Sequence, residues 1–248
     1  MHLDPAVALL AGAIAVAGLV TSPFERRFFR SDLTTGRKLC VYAGSMLLLW
    51  ALTAAALGVY GWTALRESPA GPTAWLSDHR IAGVALGAVV AAYFVIGLLP
   101  LLQSLRGARW RQAYAAAIRR HGAAFPGLLP NDALECVVFA LLSLTAGFCE
   151  EVLFRGFLIR FLHGSAPDVP LAGALIVSSA VFGLNHAYQG ARGVLSTAVA
   201  GFAFGLVFLL SGDLVPGIVL HVMVDLQVAY VLRPSLQTAR GAAPAASR

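Results

Sequence analysis

Charged residues are scarce in this chain. They make up 12% of its 248 residues, and 58% of the residues are hydrophobic, whereas a soluble domain carries about 25% charged residues. The mean hydropathy is +0.77. This composition excludes an ordinary soluble domain. It predicts an all-α polytopic transmembrane bundle, because a helix satisfies its own backbone hydrogen bonds in lipid.

Cysteine is also scarce. Cys40, Cys136 and Cys149 all lie in or beside apolar segments, and an odd number at these spacings predicts neither a disulfide framework nor a zinc knuckle. Cys149 adjoins Glu150, but a buried small apolar side chain is preferred over a nucleophile. The first residues carry no Lys or Arg and no clear cleavage site follows, so we expect no cleavable signal peptide.

The apolar residues fall into segments that predict about seven spans, within a range of six to eight. Each segment is close to the ~20 residues that a helix needs to cross a bilayer, and the fourth is much longer. The segments are 5–22, 39–61, 82–104, 133–163, 171–189, 194–211 and 214–232.

Basic residues predict the orientation of these spans. They concentrate in the loops 24–38 and 105–132, while 62–81 is nearly balanced. The positive-inside rule therefore predicts an outer N-terminus and a cytoplasmic C-terminus. Cytoplasmic loops facing an anionic leaflet also explain the net charge of +6, so the lipid bilayer, and no nucleic acid, is the expected partner. Segment 105–122 is predicted to be an interfacial amphipathic stretch.

Three ionisable residues interrupt the fourth segment: Glu150, Glu151 and Arg155. Each charge at the centre of a bilayer costs roughly 2.5–3.5 kcal/mol, so their presence together indicates a use. Glu151 and Arg155 are four residues apart and can pair on one helical face. Glu150 lies about 100° further round the helix and stays free to face something else.

Two histidines also lie within predicted spans. His221 is followed four residues later by Asp225, on the same helical face. If segments four and five form a hairpin that turns near 167–168, Glu150 and His186 are level with each other, each ~27 Å from that turn. His221 lies only ~12 Å from the turn at 212–213, so it needs tilt or a recessed loop to join them.

A carboxylate, two histidines and an aspartate that converge in a membrane fit three chemistries. Glu150 and His186 can activate a water to attack a carbonyl, with His221 and Asp225 stabilising the oxyanion. Asp225 would then be protonated or would orient His221, because an ionised carboxylate donates no hydrogen bond. The same side chains can hold Zn²⁺, or they can relay protons in a transporter. Alternatively, the pairs Glu151–Arg155 and His221–Asp225 only bind helices together.

At these residues the chain resembles the CAAX-protease and bacteriocin-processing family (CPBP, also called Abi), the glutamic intramembrane endopeptidases. The family pattern E-E-x-x-x-R, F-x-x-x-H and H-x-x-x-N/D occurs here in order on three predicted spans. The matching residues are Glu150, Glu151, Arg155, Phe182, His186, His221 and Asp225. The resemblance covers roughly residues 130–232, and the preceding residues match only as generic spans.

The resemblance implies an intramembrane endopeptidase that cleaves a membrane-associated peptide or protein tail. It implies catalytic roles for Glu150, His186, His221 and Asp225. It gives Glu151 and Arg155 a supporting role. Asp225 stands where the best-studied branch has Asn. The resemblance leaves the metal open, and no cofactor is the preferred interpretation.

If zinc were bound, its ligands would be Glu150, His186 and His221. The eukaryotic branch cleaves prenylated tails. This Arg-rich, Lys-poor chain instead indicates a bacterial inner-membrane protein with other substrates.

The chain is accordingly divided into residues 1–130 with spans and basic loops, a catalytic membrane core over 131–232, and a disordered tail over 233–248. Two other functions stay open on the sequence. One is a small ion- or proton-coupled transporter, although no internal repeat is evident. The other is a non-catalytic bacteriocin-immunity or scaffold protein with the same fold.

Overall fold

The computed structural model describes residues 4–31, 33–69, 80–165 and 169–234. Within these ranges the secondary structure is helical, with no strand, which confirms the all-α prediction. The helices are α1 (Pro5–Phe29), α2 (Thr35–Arg66), α3 (Arg80–Ser104), α4 (Ala108–His121), α5 (Ala133–Glu150), α6 (Ile159–Ser165), α7 (Leu171–Asn185), α8 (Gly190–Ser211) and α9 (Leu214–Leu232). A π-helix over Glu151–Leu158 joins α5 to α6, and short 3-10 turns occupy Gly122–Ala124, Pro126–Leu128 and Ala187–Gln189.

Six helical segments in the described part of the chain are long and apolar enough to cross a membrane. They confirm a bundle within the predicted range of six to eight spans. The remaining apolar helix, α7, has 15 residues, fewer than the ~20 that a full crossing needs. The predicted fifth span, 171–189, is therefore wrong at its C-terminal end, because α7 stops at Asn185 and a 3-10 turn follows.

Some predicted features lie outside the described residues. They are the turn near 167–168, residues 70–79 of the predicted outer loop 62–81, and the tail apart from Arg233 and Pro234. The orientation of the bundle and the division at residues 130 and 232 stay predictions.

The C-terminal end of α2 packs against the turn that starts α9. Gly61 interrupts α2 with a φ of +73°, a backbone conformation that glycine adopts without strain. Beyond it, the Arg66 side chain pairs with Asp213 at 2.7 Å, and the Ser68 backbone N–H donates to the Gly212 carbonyl at 2.9 Å. These contacts hold the start of the helix that carries His221.

The start of α5 is held by a buried ion pair. Lys38 Nζ lies 3.0 Å from Glu135 Oε2, and the two side chains are 1% and 2% exposed. Asp132 caps the helix by accepting the Glu135 backbone N–H at 2.8 Å, and it also accepts the Thr35 hydroxyl at 3.0 Å. Removing one partner of a buried pair leaves an uncompensated charge, so this network fixes α5 against α2.

The π-helix lies at the centre of the bundle, with all eight of its residues buried. Its close approach to α2 depends on Gly156, where a Cβ atom would come within 2.7 Å of the Leu65 carbonyl oxygen. A π-helix pairs residues i and i+5, and such segments occur mostly at functional sites. Here the segment begins at Glu151, the second of the paired carboxylates.

Candidate active site

Two adjacent carboxylates lie at the junction between α5 and the π-helix. Glu151 is fully buried, and Arg155 Nη1 lies 2.9 Å from its Oε1, which confirms the predicted pairing. The Glu150 side chain keeps 14% exposure and lines the cavity described below. The two carboxylates therefore face different surroundings, as their spacing predicted.

Glu151 also contacts the histidine of α9. Its Oε1 lies 2.8 Å from His221 Nδ1, so Arg155, Glu151 and His221 form a continuous buried chain. An ionised carboxylate can only accept a hydrogen bond, so Nδ1 carries the proton in this contact. Glu151 thereby orients the His221 ring, which is more than the general support that the sequence suggested. Gly217 on α9 permits this approach, since a Cβ there would lie 3.2 Å from Glu151 Oε2.

Aromatic rings enclose this chain. The Arg155 guanidinium lies 4.4 Å from the Phe182 ring centroid and 5.4 Å from that of Phe204, and it donates to the Gly201 carbonyl at 3.0 Å. Phe204 stacks on His221 with 4.6 Å between centroids and 17° between planes. Cation–π and stacking contacts of this kind stabilise a buried cation. Phe182 belongs to a sequence motif, whereas no sequence signal marked Phe204.

The other nitrogen of His221 faces two acids. Nε2 lies 3.7 Å from Glu150 Oε2 and 3.7 Å from Asp225 Oδ2. His221 therefore does meet the α5 carboxylates, although its shallow sequence position left this in question. Asp225 lies near Nε2 and not near Nδ1, so the carboxylate that fixes the ring is Glu151.

His186 lies at the end of α7 instead of inside a span. It follows the last helical residue with φ −103° and ψ 21°, and its Nδ1 lies 2.9 Å from the Phe182 carbonyl oxygen. The Phe182 ring is 4.8 Å from the His186 ring and 6.0 Å from the His221 ring. The F-x-x-x-H spacing thus places one aromatic ring against both histidines.

All four predicted catalytic side chains line one cavity of about 790 Å³, namely Glu150, His186, His221 and Asp225. A cavity of this volume falls within the range of ligand sites. It reaches residues 114–125, in the basic segment that the sequence predicts to be cytoplasmic. Tyr114 closes one wall by donating to Gln227 Oε1 at 2.7 Å.

The sequence missed one acid of the cavity, Glu25 of α1. Its Oε2 is buried and has no hydrogen-bond partner among the described residues. An acid inside the basic segment 24–38 was the available signal. The described lining of the cavity includes three acids, Glu25, Glu150 and Asp225, and no lysine or arginine. Cys149, by contrast, is fully buried and does not line the cavity, in agreement with a packing role.

The alternative of a zinc site can be tested against the donor atoms. Within the described ranges, no group of three His, Cys, Asp or Glu side chains is arranged to hold a metal ion. Each histidine already contacts an oxygen through Nδ1, which leaves one nitrogen on each ring. The proposed ligands Glu150, His186 and His221 share a cavity without forming a ligand set.

Part of the chain is similar to a known protein family. Residues 132–227 match the family described as type II CAAX prenyl endopeptidase Rce1-like. Over these residues the chain is similar to CAAX proteases. All the predicted catalytic residues fall inside this match, whereas α1 to α4 fall outside it. No curated protein and no solved structure matches the chain.

The match to CAAX proteases over residues 132–227, together with the apolar helices, supports an integral membrane protein of the intramembrane endopeptidase type. A protease of this family acts on a peptide or protein substrate in the membrane. The match is to a protease family, which favours the peptidase hypothesis over a transporter.

Proposed function

We propose that this chain is a glutamic intramembrane endopeptidase of the CAAX-protease type that hydrolyses a membrane-associated peptide or protein tail. The observation that carries the proposal is the common cavity of Glu150, His186, His221 and Asp225, enclosed by apolar helices. Placing several ionisable side chains inside an apolar bundle costs free energy, which favours a functional role for them. The cavity is large enough for a water and a segment of peptide.

Glu150 and His186 bind the attacking water, and Glu150 removes its proton as the oxygen adds to the scissile carbonyl carbon. Two features support these roles. The ion-pair partner of Arg155 is Glu151, which leaves the Glu150 carboxylate to face the cavity. The contact of His186 Nδ1 with a carbonyl oxygen fixes the tautomer that leaves Nε2 as an acceptor for a water proton.

The oxyanion that forms is stabilised by His221 and Asp225. Because Glu151 holds Nδ1, the nitrogen of His221 that serves the substrate is Nε2. An imidazolium donates from both nitrogens, so it can satisfy Glu151 and the oxyanion together. A protonated Asp225, 3.7 Å from Nε2, supplies the second donor. When the tetrahedral intermediate collapses, the C–N bond breaks and Glu150 returns its proton to the leaving amine.

No step of this reaction is assigned to a metal, and we propose that no cofactor is required. The substrate is a membrane peptide or protein tail that need not be prenylated. The 17 arginines against a single lysine favour a bacterial cytoplasmic membrane. In the predicted orientation, the cavity faces the cytoplasmic half through residues 114–125.

Comparative mass spectrometry of membrane peptides tests the proposal in cells. Cells with the natural chain should contain cleaved peptides that are absent from cells with Glu150→Gln or His186→Ala, at equal protein abundance. Because Glu67 is exposed and does not line the cavity, Glu67→Gln is the matched control and should cleave normally. Prenylated and unprenylated substrates are separated by the masses of the fragments.

The same peptides, once identified, allow a chelator arm with purified protein. Cleavage should continue in the presence of a zinc chelator. Loss of cleavage that added Zn²⁺ restores would overturn the metal-free mechanism. Equal cleavage by the natural chain and the Glu150→Gln variant would overturn the peptidase assignment itself.

A further inference from the structure

The segment that carries His186 has little helical support of its own. α7 ends at Asn185, and a single 3-10 turn, Ala187–Gln189, follows before α8 begins at Gly190 with a φ of +82°. A ring that must hold a water within hydrogen-bond distance needs its backbone fixed. The fixing contacts come from α1, outside the part of the chain that matches the family.

On one side of His186, the Asn185 carboxamide binds the backbone of α1. Its Oδ1 accepts the Gly18 N–H at 2.9 Å, and its Nδ2 donates to the Ile14 carbonyl at 3.1 Å. Nδ2 also lies 2.9 Å from the Val181 carbonyl oxygen of its own helix. In a regular helix the Gly18 N–H would donate to the Ile14 carbonyl. The Asn185 amide binds both of these groups, so it is inserted into the backbone hydrogen bonding of α1.

Gly18 makes this insertion sterically feasible. A Cβ atom there would lie 2.1 Å from Asn185 Cα and 2.8 Å from its carbonyl carbon, distances that require the backbones to separate. Gly12, on the same helix, has no atom within 4 Å of the equivalent Cβ position. The close approach is therefore specific to the level of Asn185.

On the other side of His186, a second residue of α1 holds Ala187. Arg26 Nε donates to the Ala187 carbonyl at 2.7 Å, and the Phe29 ring packs edge-on against Tyr188 at 5.7 Å. Gly18 and Arg26 are ~12 Å apart along α1. The residues immediately before and after His186 are thus both bonded to one rigid helix.

We propose that α1 is a positioning element for His186, and that Asn185 and Arg26 are positioning residues for the hydrolysis. This inference rests on the proposed role of His186 in activating water. Neither residue contacts the reacting atoms; they fix the backbone from which the imidazole projects. A shift of about 1 Å at a catalytic group can reduce the rate by roughly 100-fold.

Variants of α1 with matched controls test the inference. Arg26→Met, Asn185→Leu and Gly18→Ala should each lower kcat by roughly tenfold or more, with KM changed by less than about twofold. Arg26→Lys should recover most of the rate, because it can still donate to the Ala187 carbonyl. Arg27→Met and Gly12→Ala, exposed neighbours on the same helix, should behave as the natural chain.

A second measurement does not depend on activity. Hydrogen exchange of the purified chain should accelerate at the amides of residues 186–190 in Arg26→Met, with α5 and α9 unchanged. Unchanged exchange and unchanged kcat in Arg26→Met and Asn185→Leu would overturn the inference, even where Glu150→Gln is inactive. Faster exchange together with normal kcat would also overturn it, because the contacts between α1 and residues 185–187 would then have only a structural role.

Discussion

At the scale of single residues, the decisive feature is the division of work between two adjacent acids. Glu151 Oε1 lies 2.9 Å from Arg155 Nη1 and 2.8 Å from His221 Nδ1, whereas Glu150 lines the cavity. The i, i+4 spacing of Glu151 and Arg155 predicted this division. The contact between Glu151 and His221 was not predictable, because it depends on how α9 packs against the π-helix.

Glu151→Gln should destabilise and inactivate the protein. The change leaves Arg155 buried without its counter-charge, so the free energy of unfolding should fall by about 3–5 kcal/mol. The double variant Glu151→Gln/Arg155→Met removes both charges and should recover most of that stability without recovering cleavage, since a neutral amide does not stabilise the His221 imidazolium as the carboxylate does. Thermal unfolding in detergent measures the stability, and peptide cleavage measures the activity. A Glu151→Gln variant as stable and active as the natural chain would contradict the prediction.

Asp225 separates two ways of stabilising the oxyanion. If it donates a hydrogen bond, Asp225→Asn should stay within about threefold of the natural rate, because an amide also donates. Asp225→Leu should lose roughly 10²–10³-fold in kcat. An Asp225→Asn variant as inactive as Asp225→Leu would show instead that the carboxylate charge is required. Steady-state cleavage of one peptide by the three proteins decides between these outcomes.

At the scale of elements, the sequence predicted the order and approximate limits of the apolar helices. The long fourth segment is one continuous helical stretch from Ala133 to Ser165, and the predicted end of the second span at residue 61 coincides with the interruption at Gly61. The π-helix and the early end of α7 were not predictable. Apolar residues satisfy α- and π-helical spacing alike, and only tertiary packing selects between them.

The N-cap of α5 gives a prediction with a pH dependence. The Glu135 backbone N–H and the Thr35 hydroxyl donate to Asp132, and the first of these is the main cause that lowers the pKa of its carboxyl below the ordinary value. A lowered folded-state pKa means that the stabilisation is present above the unfolded pKa and is lost as the pH falls through the folded one.

Asp132→Ala should therefore cost about 1 kcal/mol at neutral pH. The difference between the variant and the natural chain should shrink below roughly pH 4. Thermal unfolding in detergent across this pH range measures the effect. A difference that stays constant down to pH 2 would contradict the assigned cap.

At the scale of the whole molecule, the active site draws on both halves of the chain. The family match covers residues 132–227 and contains every motif, so sequence alone predicted four of the residues that share the cavity. The cavity wall also includes Glu25, Tyr93 and Tyr114, which belong to α1, α3 and α4. An acid within a basic segment was a signal for Glu25, but no local pattern marked the two tyrosines, because their place in the wall depends on which helices surround the motifs.

In the proposed mechanism the Glu150 carboxylate activates the attacking water. The most direct measurement is the single-turnover cleavage rate of one peptide by purified, liposome-reconstituted natural chain, Glu150→Gln and the control Glu67→Gln. Loss of the general base should slow Glu150→Gln by roughly 10²–10⁴-fold, with Glu67→Gln at the natural rate and folding unchanged in both. A Glu150→Gln protein that cleaves as fast as Glu67→Gln would contradict the mechanism.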